Sequence, residues 1–227
     1  MSRKSILGII TFFVTAIAFR YLTSKTDLIL TNINSEFLKI IVTAIGPTIG
    51  ALVAVKAFNL KFPMNLKGNY KKLLIPFLIF WIVPLIIITT KAYFLKGNFA
   101  IATVFAILVY GLLEEIGWRG FLYEQLKPLP KFTNILIVTI LWFIWHLNFE
   151  LSISNLIFFL ILLLGSWGIG LVADKTKSLL AAASFHSLNN FYSEWNTLNL
   201  LIIGTLVLIW ILSIIYHTKR IELKNGS

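Results

Sequence analysis

Residues 99–110 read FAIATVFAILVY and run directly into GLLEEIGWRG at 111–120. The first part carries no charge, and about 20 apolar residues are enough for one membrane-spanning helix. Two adjacent carboxylates, Glu114 and Glu115, therefore lie near the end of a predicted transmembrane helix. A carboxylate in such a place is costly unless it faces protein or trapped water, so both residues are candidates for a functional site.

The composition indicates that this helix belongs to a membrane protein. Hydrophobic residues make up 58% of the 227 residues, and charged residues reach only 13%, against roughly 25% in soluble proteins. We therefore predict an all-α, polytopic integral membrane protein with a central polar site, a single domain over residues 1–227 and the lipid bilayer as its surroundings. The net charge of +11 is spread between apolar runs, which argues against nucleic acid as a partner. The lack of cysteine excludes disulfides and thiolate chemistry.

The apolar runs predict about eight transmembrane helices, with both termini on one side. Fifteen Lys and Arg residues fall in loops or ends on the side of the termini, and five, including Arg20, on the other. The positive-inside rule then makes both termini cytoplasmic. The richness in Ile, Lys and Asn indicates a bacterial cell membrane. The first run is expected to remain as a helix and not to be cleaved as a signal peptide. The predicted spans are 5–23, 37–58, 72–90, 99–118, 133–149, 153–173, 178–193 and 198–217.

The two glutamates are expected to have different roles, because neighbouring residues on a helix point about 100° apart. Glu115 precedes Arg119 by four residues, which is the favourable orientation for an ion pair along a helix. Glu114 is then free to face a cavity. One carboxylate is predicted to support the structure and the other to take part in chemistry.

Two histidines lie inside other predicted spans, His146 in LWFIWHLNF and His186 in ASFHSLNN. His186 shares a helix face with Asn190, and His146 shares one with Trp142, because each pair is four residues apart. One glutamate, two histidines and one asparagine can thus converge from three helices. Such a set could activate a water and stabilise an oxyanion. Glu114, His146 and His186 could equally hold a zinc ion.

Each of these residues also has a simpler interpretation. A single His or Asn in a membrane helix commonly bonds only to a neighbouring helix. The Glu–Arg pair could lock two helices or belong to the proton relay of a transporter. A transporter is disfavoured, because the ionisable residues inside spans are confined to the middle and the C-terminal half of the chain, without repeat symmetry.

Taken in order, the polar residues resemble the motifs E-E-x-x-x-R, F-x-x-x-H and H-x-x-x-N of the CAAX protease and bacteriocin-processing family. This family is also called CPBP or Abi and includes the Ras-converting CAAX endopeptidase. The resemblance covers about residues 99–193 and departs at one position, where Trp142 stands in place of the motif phenylalanine. The matching residues are Glu114, Glu115, Arg119, His146, His186 and Asn190.

The resemblance implies an eight-helix intramembrane endopeptidase that hydrolyses a peptide bond of a membrane-anchored peptide or protein. It implies water activation by Glu114 with His146, and oxyanion stabilisation by His186 with Asn190. The supports of the site are Glu115, Arg119 and Trp142. Family members are labelled metalloproteases or argued to use a Glu-activated water without metal, so no cofactor is assigned, and zinc on Glu114, His146 and His186 stays open. The alternative function, also drawn from the family, is a non-catalytic bacteriocin self-immunity or scaffold protein.

The two halves of the predicted site differ in depth. If the helices stand straight, Glu114 lies roughly 10 Å and His146 about 20 Å from the cytoplasmic boundary. The segment 120–131 contains two prolines. We therefore expect this segment to dip into the membrane, so that the following helix starts deep.

Overall fold

The protein is described here by a computed structural model that covers residues 1–26, 28–192 and 196–225, apart from the side chains of residue 96 and residues 217–225. Within these ranges the chain is helical and forms no strand. The α-helices, numbered along the chain, are α1 (Arg3–Ser24), α2 (Glu36–Phe58), α3 (Tyr70–Phe77), α4 (Val83–Lys96), α5 (Ile101–Glu115), α6 (Lys131–Trp145), α7 (Ile153–Thr176), α8 (Leu179–Phe191) and α9 (Thr197–Asn225).

Two π-helical segments extend these helices. Leu78–Ile82 joins α3 to α4, so that the three parts form one long helix. Pro84 lies at the start of α4. A proline lacks an N–H and its ring clashes with the carbonyl four residues earlier, and the wider π turn accommodates this. The second segment, Ile116–Tyr123, continues α5 directly after the two glutamates and carries Arg119.

The all-α, polytopic membrane fold predicted from the sequence is confirmed. Every predicted span corresponds to a helix, and six helical stretches are long and apolar enough to cross a membrane: Arg3–Ser24, Glu36–Phe58, Tyr70–Leu95, Ile101–Tyr123, Ile153–Thr176 and Thr197–Tyr216. The other two helices are shorter than predicted, since α6 has 15 residues and α8 has 13. At 1.5 Å per residue they reach only about 22 and 20 Å, less than the roughly 30 Å of a hydrocarbon core. That the whole chain forms one domain stays a prediction.

Three connections meet at one end of the helix bundle. The backbone N–H of Asn69 donates to the carbonyl of Thr176 at 2.7 Å, and the Gln125 amide donates to the carbonyl of Lys61 at 3.1 Å. We call this end the basic face; it comprises residues 59–69, 124–130 and 177–178. Its lysines are Lys61, Lys67, Lys127 and Lys177. The loops that the sequence groups on one side therefore lie together, and their cytoplasmic location remains a prediction.

The connection between the second π segment and α6 lies with the other connections of the basic face, since Gln125 bonds to Lys61 and Glu124 contacts Lys177. The Asn134 amide donates to the carbonyl of Tyr123 at 2.9 Å, which places these residues at one level. From that level, Glu114 lies nine residues inward along its helix and Trp142 lies eight residues inward along α6. Both prolines of 124–130 are exposed. Glu114 and Trp142 therefore reach similar depths without the expected dip, because the helix that carries Glu114 continues to Tyr123.

Single cysteines in this cysteine-free chain test which side the basic face occupies. Lys61 and Asn98 are exposed, and they lie in connections at opposite ends of the bundle. In intact bacterial cells that express the variants, we expect a membrane-impermeant maleimide to label Asn98→Cys and to reach Lys61→Cys only after permeabilisation, because lysine-rich loops stay cytoplasmic. Labelling of Lys61→Cys in intact cells would show that the basic face lies outside the cell, opposite to the predicted orientation.

Candidate active site

Glu115 and Arg119 form a completely buried ion pair. Arg119 Nη1 donates to Glu115 Oε1 at 2.9 Å, and both side chains are 0% exposed. Arg119 Nη2 also donates to Ser166 Oγ on α7 at 3.3 Å, and the guanidinium lies 4.6 Å from the ring centroid of Trp142 on α6. The spacing of four residues indicates the pair, and the fold adds partners from two further helices.

His186 of α8 lies between the two glutamates. Its Nδ1 is 2.6 Å from Glu115 Oε1, the same oxygen that accepts from Arg119. Because an ionised carboxylate only accepts, Nδ1 is the donor. The other ring nitrogen, Nε2, then faces Glu114, with 4.0 Å between Nε2 and Glu114 Oε2. Sequence spacing assigned Glu115 to Arg119 alone and missed this contact.

Glu114 is 1% exposed, and its Oε2 accepts a hydrogen bond from the indole N–H of Trp142 at 3.0 Å. The same indole ring packs 5.2 Å from the ring of His186, centroid to centroid. The tryptophan that departs from the family motif is therefore more than an aromatic wall. It gives Glu114 a hydrogen-bond donor that a phenylalanine lacks.

Two polar residues outside the motifs also approach Glu114. The hydroxyl of Tyr110 lies beside the Glu114 carboxylate and the Arg20 guanidinium. Arg20 stacks over the ring of Trp145, 4.5 Å from its centroid. Arg20 was counted with the charges on the side opposite the termini, at the end of the first predicted span; it belongs to α1, is only partly exposed and lies at the site. The four-residue spacing of Tyr110 and Glu114 could have indicated the first neighbour, whereas nothing in the local sequence indicates that α1 packs here.

His146 follows α6 directly and lies about one turn beyond Trp142. Its Nδ1 is 2.8 Å from the carbonyl oxygen of Trp142. Because a carbonyl only accepts, Nδ1 carries the hydrogen and the neutral ring exposes the lone pair of Nε2. The ring lies edge-on to Phe158 with centroids 4.8 Å apart. His146 lies close enough to Glu114 and His186 for an electrostatic interaction with each. Among the described side chains, no hydrogen bond joins His146 to either residue.

Asn190 lies one helical turn after His186 on α8 and is partly exposed. Within the described part of the chain, its amide makes no side-chain hydrogen bond. The four-residue spacing puts this free amide on the same helix face as the imidazole. It is therefore available to a ligand that contacts His186.

The described residues do not form a metal site. No group of three His, Asp or Glu side chains among them is arranged to hold an ion. Ligands of a tetrahedral zinc at 2.0–2.1 Å lie about 3.3 Å apart, whereas Glu114 Oε2 and His186 Nε2 are 4.0 Å apart. The same glutamate oxygen already accepts from Trp142. The zinc set Glu114, His146 and His186 does not fit this geometry, so no chemical step is assigned to a metal.

An apolar cavity of about 580 Å³ lies beside the polar residues. Trp142 and His186 line one part of it, and residues of α7, α8 and α9 line the rest, among them Leu162, Phe185 and Ile203. A cavity of this size and composition matches those that hold largely apolar ligands. It extends from the imidazole of His186 to the side chains of α9 that line it.

Comparison with known proteins is consistent with the motifs. The family model described as type II CAAX prenyl endopeptidase Rce1-like matches residues 96–192. The match spans the region from the end of α4 to the end of α8 and includes all of the residues that the motifs single out. No curated protein matches the chain.

Removal of the Arg119 charge should be strongly destabilising, because the completely buried Glu115 carboxylate loses its guanidinium partner and keeps only the hydrogen bond from His186. For Arg119→Met we expect a loss of about 3–5 kcal/mol, measured by thermal or denaturant unfolding of the detergent-purified protein. The matched control is Lys39→Met, which removes the exposed pair between Lys39 and Glu36 and should cost at most about 1 kcal/mol. Equal losses in the two variants would contradict a structural role for the buried pair.

Proposed function

Since residues 96–192 belong to the Rce1-like family of type II CAAX prenyl endopeptidases, we infer that the protein is an intramembrane endopeptidase that hydrolyses a peptide bond of a membrane-associated protein or peptide. The observation that carries this proposal is the buried pair of Glu114 Oε2 and His186 Nε2, 4.0 Å apart, beside an apolar cavity. That distance is too long for a direct hydrogen bond, and it suits one water in contact with both groups.

In the proposed reaction, Glu114 removes a proton from this water as its oxygen attacks the scissile carbonyl carbon. The carbonyl π bond opens, and the resulting oxyanion is stabilised by Asn190 and by protonated His186. The C–N bond then breaks, and the proton held by Glu114 passes to the leaving amine. The products are a carboxylic acid and an amine, with Glu114 returned to its carboxylate.

The surrounding contacts support this assignment of roles. Glu115 holds Nδ1 of His186, so that Nε2 is directed towards the reacting atoms. His146 donates from Nδ1 to a backbone carbonyl, which leaves Nε2 free to assist in proton transfer. Trp142 fixes the orientation of the Glu114 carboxylate. Side chains held in this way need little rearrangement during the reaction.

The substrate would enter from the membrane. The cavity that reaches His186 is lined mainly by apolar side chains, so it suits an apolar part of a membrane-anchored chain better than a soluble peptide. Glu114 lies nine residues inward from the level of Tyr123, near the basic face. A scissile bond near that face of the membrane is therefore the one we propose to be cleaved, which is the inner leaflet if the basic face is cytoplasmic.

A non-catalytic immunity or scaffold protein is the alternative function. The observation that favours it is that Arg119 donates both to Glu115 on its own helix and to Ser166 on α7, which would stabilise the fold without any reaction. Glu114 distinguishes the two functions, because hydrolysis needs its carboxylate as a base, whereas the network of Glu115, Arg119 and Ser166 does not include it.

Glu114→Gln should abolish cleavage and leave the fold intact, because the amide oxygen can still accept from Trp142. We expect a fall in the cleavage rate of at least about a hundredfold, measured in proteoliposomes with a membrane-tethered reporter peptide. The matched control is Glu150→Gln, since Glu150 is exposed and lies outside the site. A folded Glu114→Gln protein that cleaves at the parent rate would exclude hydrolysis by this carboxylate, and a parent protein with no activity on a panel of membrane-tethered peptides would favour the immunity or scaffold function.

Trp142→Phe separates the hydrogen bond of the indole from its packing. The phenyl ring still lies against Arg119 and His186, but Glu114 loses its donor. We expect kcat to fall roughly ten- to a hundredfold, as for the loss of a hydrogen bond to a charged group, with KM nearly unchanged. Trp142→Leu, which also removes the ring, should in addition lower the melting temperature. An unchanged kcat for Trp142→Phe would show that the N–H does not position Glu114.

A further inference from the structure

A second pocket, of about 490 Å³, lies between the start of α3, the end of α7 and the middle of α9. Its rim carries three lysines, Lys71, Lys72 and Lys175, and its interior is lined by apolar side chains that include Ile75 and Trp210. The pocket is therefore amphipathic, with positive charge at the end of the helices and hydrocarbon further in. It is separate from the glutamates and histidines described above.

The three rim lysines differ from other lysines near the basic face. Lys127, Lys131 and Lys177 lie within 4.0 Å of the carboxylates of Glu124 or Asp174. Among the side chains that the structure describes, Lys71, Lys72 and Lys175 have no carboxylate within that distance, and all three are exposed. No carboxylate of the described side chains neutralises these three ammonium groups. Because they surround one opening, they attract an anionic group from outside the protein.

We propose that this pocket binds one anionic phospholipid of the leaflet at the basic face. The phosphate would lie among Lys71, Lys72 and Lys175, and an acyl chain would extend along Ile75 and Trp210 into the hydrocarbon region. Basic pockets between transmembrane helices bind anionic headgroups in this way. A free phosphate ion fits less well, because it would leave the apolar interior without an occupant. The proposal is independent of peptidase activity.

The position of Trp210 gives the bound lipid a structural role. This side chain is 5% exposed, lines both pockets and packs edge-on against Phe80 and Phe185, with ring centroids 5.6 and 5.7 Å apart. A lipid on one side of Trp210 would hold α9 against the long helix of α3 and α4. It would thereby stabilise the α9 wall of the cavity that reaches His186.

Lipid binding to the detergent-purified full chain can be measured by native mass spectrometry. The probes are phosphatidylglycerol and phosphatidylcholine with the same acyl chains. We expect the parent chain to retain one molecule of phosphatidylglycerol in preference to phosphatidylcholine. The triple variant Lys71→Ala, Lys72→Ala, Lys175→Ala should bind it about a hundredfold more weakly and should remain folded, because the three side chains are exposed. The matched control is Lys56→Ala, Lys61→Ala, Lys67→Ala, which removes the same charge from exposed lysines outside the pocket and should keep the parent affinity.

Two further measurements separate the headgroup from the acyl chain. Ile214→Trp adds bulk inside the pocket without a change of charge and should weaken phosphatidylglycerol binding, whereas millimolar inorganic phosphate should not displace the lipid. Equal losses of phosphatidylglycerol affinity in both triple variants would overturn the proposal, because the lipid would then be attracted by the positive charge of the whole face and not by this pocket. Displacement by inorganic phosphate, or unchanged binding to Ile214→Trp, would overturn it as well, because the acyl chain would then not occupy the pocket.

Discussion

One oxygen atom, Oε1 of Glu115, accepts hydrogen bonds from both Arg119 and His186. Glu115 and Arg119 are completely buried, and a buried charge without a partner destabilises a fold by several kcal/mol. The need to surround this oxygen fixes α8 against the end of α5. Arg119 in turn contacts Ser166 of α7 and the ring of Trp142 on α6. The mutual positions of these helices therefore depend on the compensation of one buried carboxylate, and the residues proposed to react are carried by the same helices.

The adjacent glutamates can act on one imidazole because its two nitrogens point in different directions. Neighbouring side chains on a helix diverge by about 100°, which prevents two carboxylates from meeting at one atom. His186 lies within that angle, with Nδ1 bound to Glu115 and Nε2 facing Glu114. The divergence that suggested separate roles is what lets both glutamates contact the same ring. In the proposed mechanism, Glu115 orients the imidazole and Glu114 activates the water beside it.

The sequence was sufficient for the helices and the Glu115–Arg119 pair, because hydropathy and four-residue spacing are local signals. It did not predict that α6 is short, nor that the helix of Glu114 continues through a π segment to Tyr123. A π turn changes the register of every later residue, and no residue pattern in 111–123 marks it. The hydrogen bond from Trp142 to Glu114 and the approach of Arg20 depend on contacts between distant helices. Such contacts are set by packing, which spacing within one helix does not encode.

On the proposed function, the polar site and the cavity beside it impose different requirements on a substrate. The polar side chains are held by hydrogen bonds at fixed distances, so they act on any peptide bond that reaches them. The cavity wall includes Gly165 of α7 and Gly204 of α9, and a Cβ at either position would meet no atom within 4 Å. A small side chain at either of these cavity-lining positions would therefore cause no clash in the protein. In the proposed reaction, the choice among membrane-anchored substrates would then depend on the width of this apolar cavity, and not on the glutamates and histidines proposed to carry out the hydrolysis.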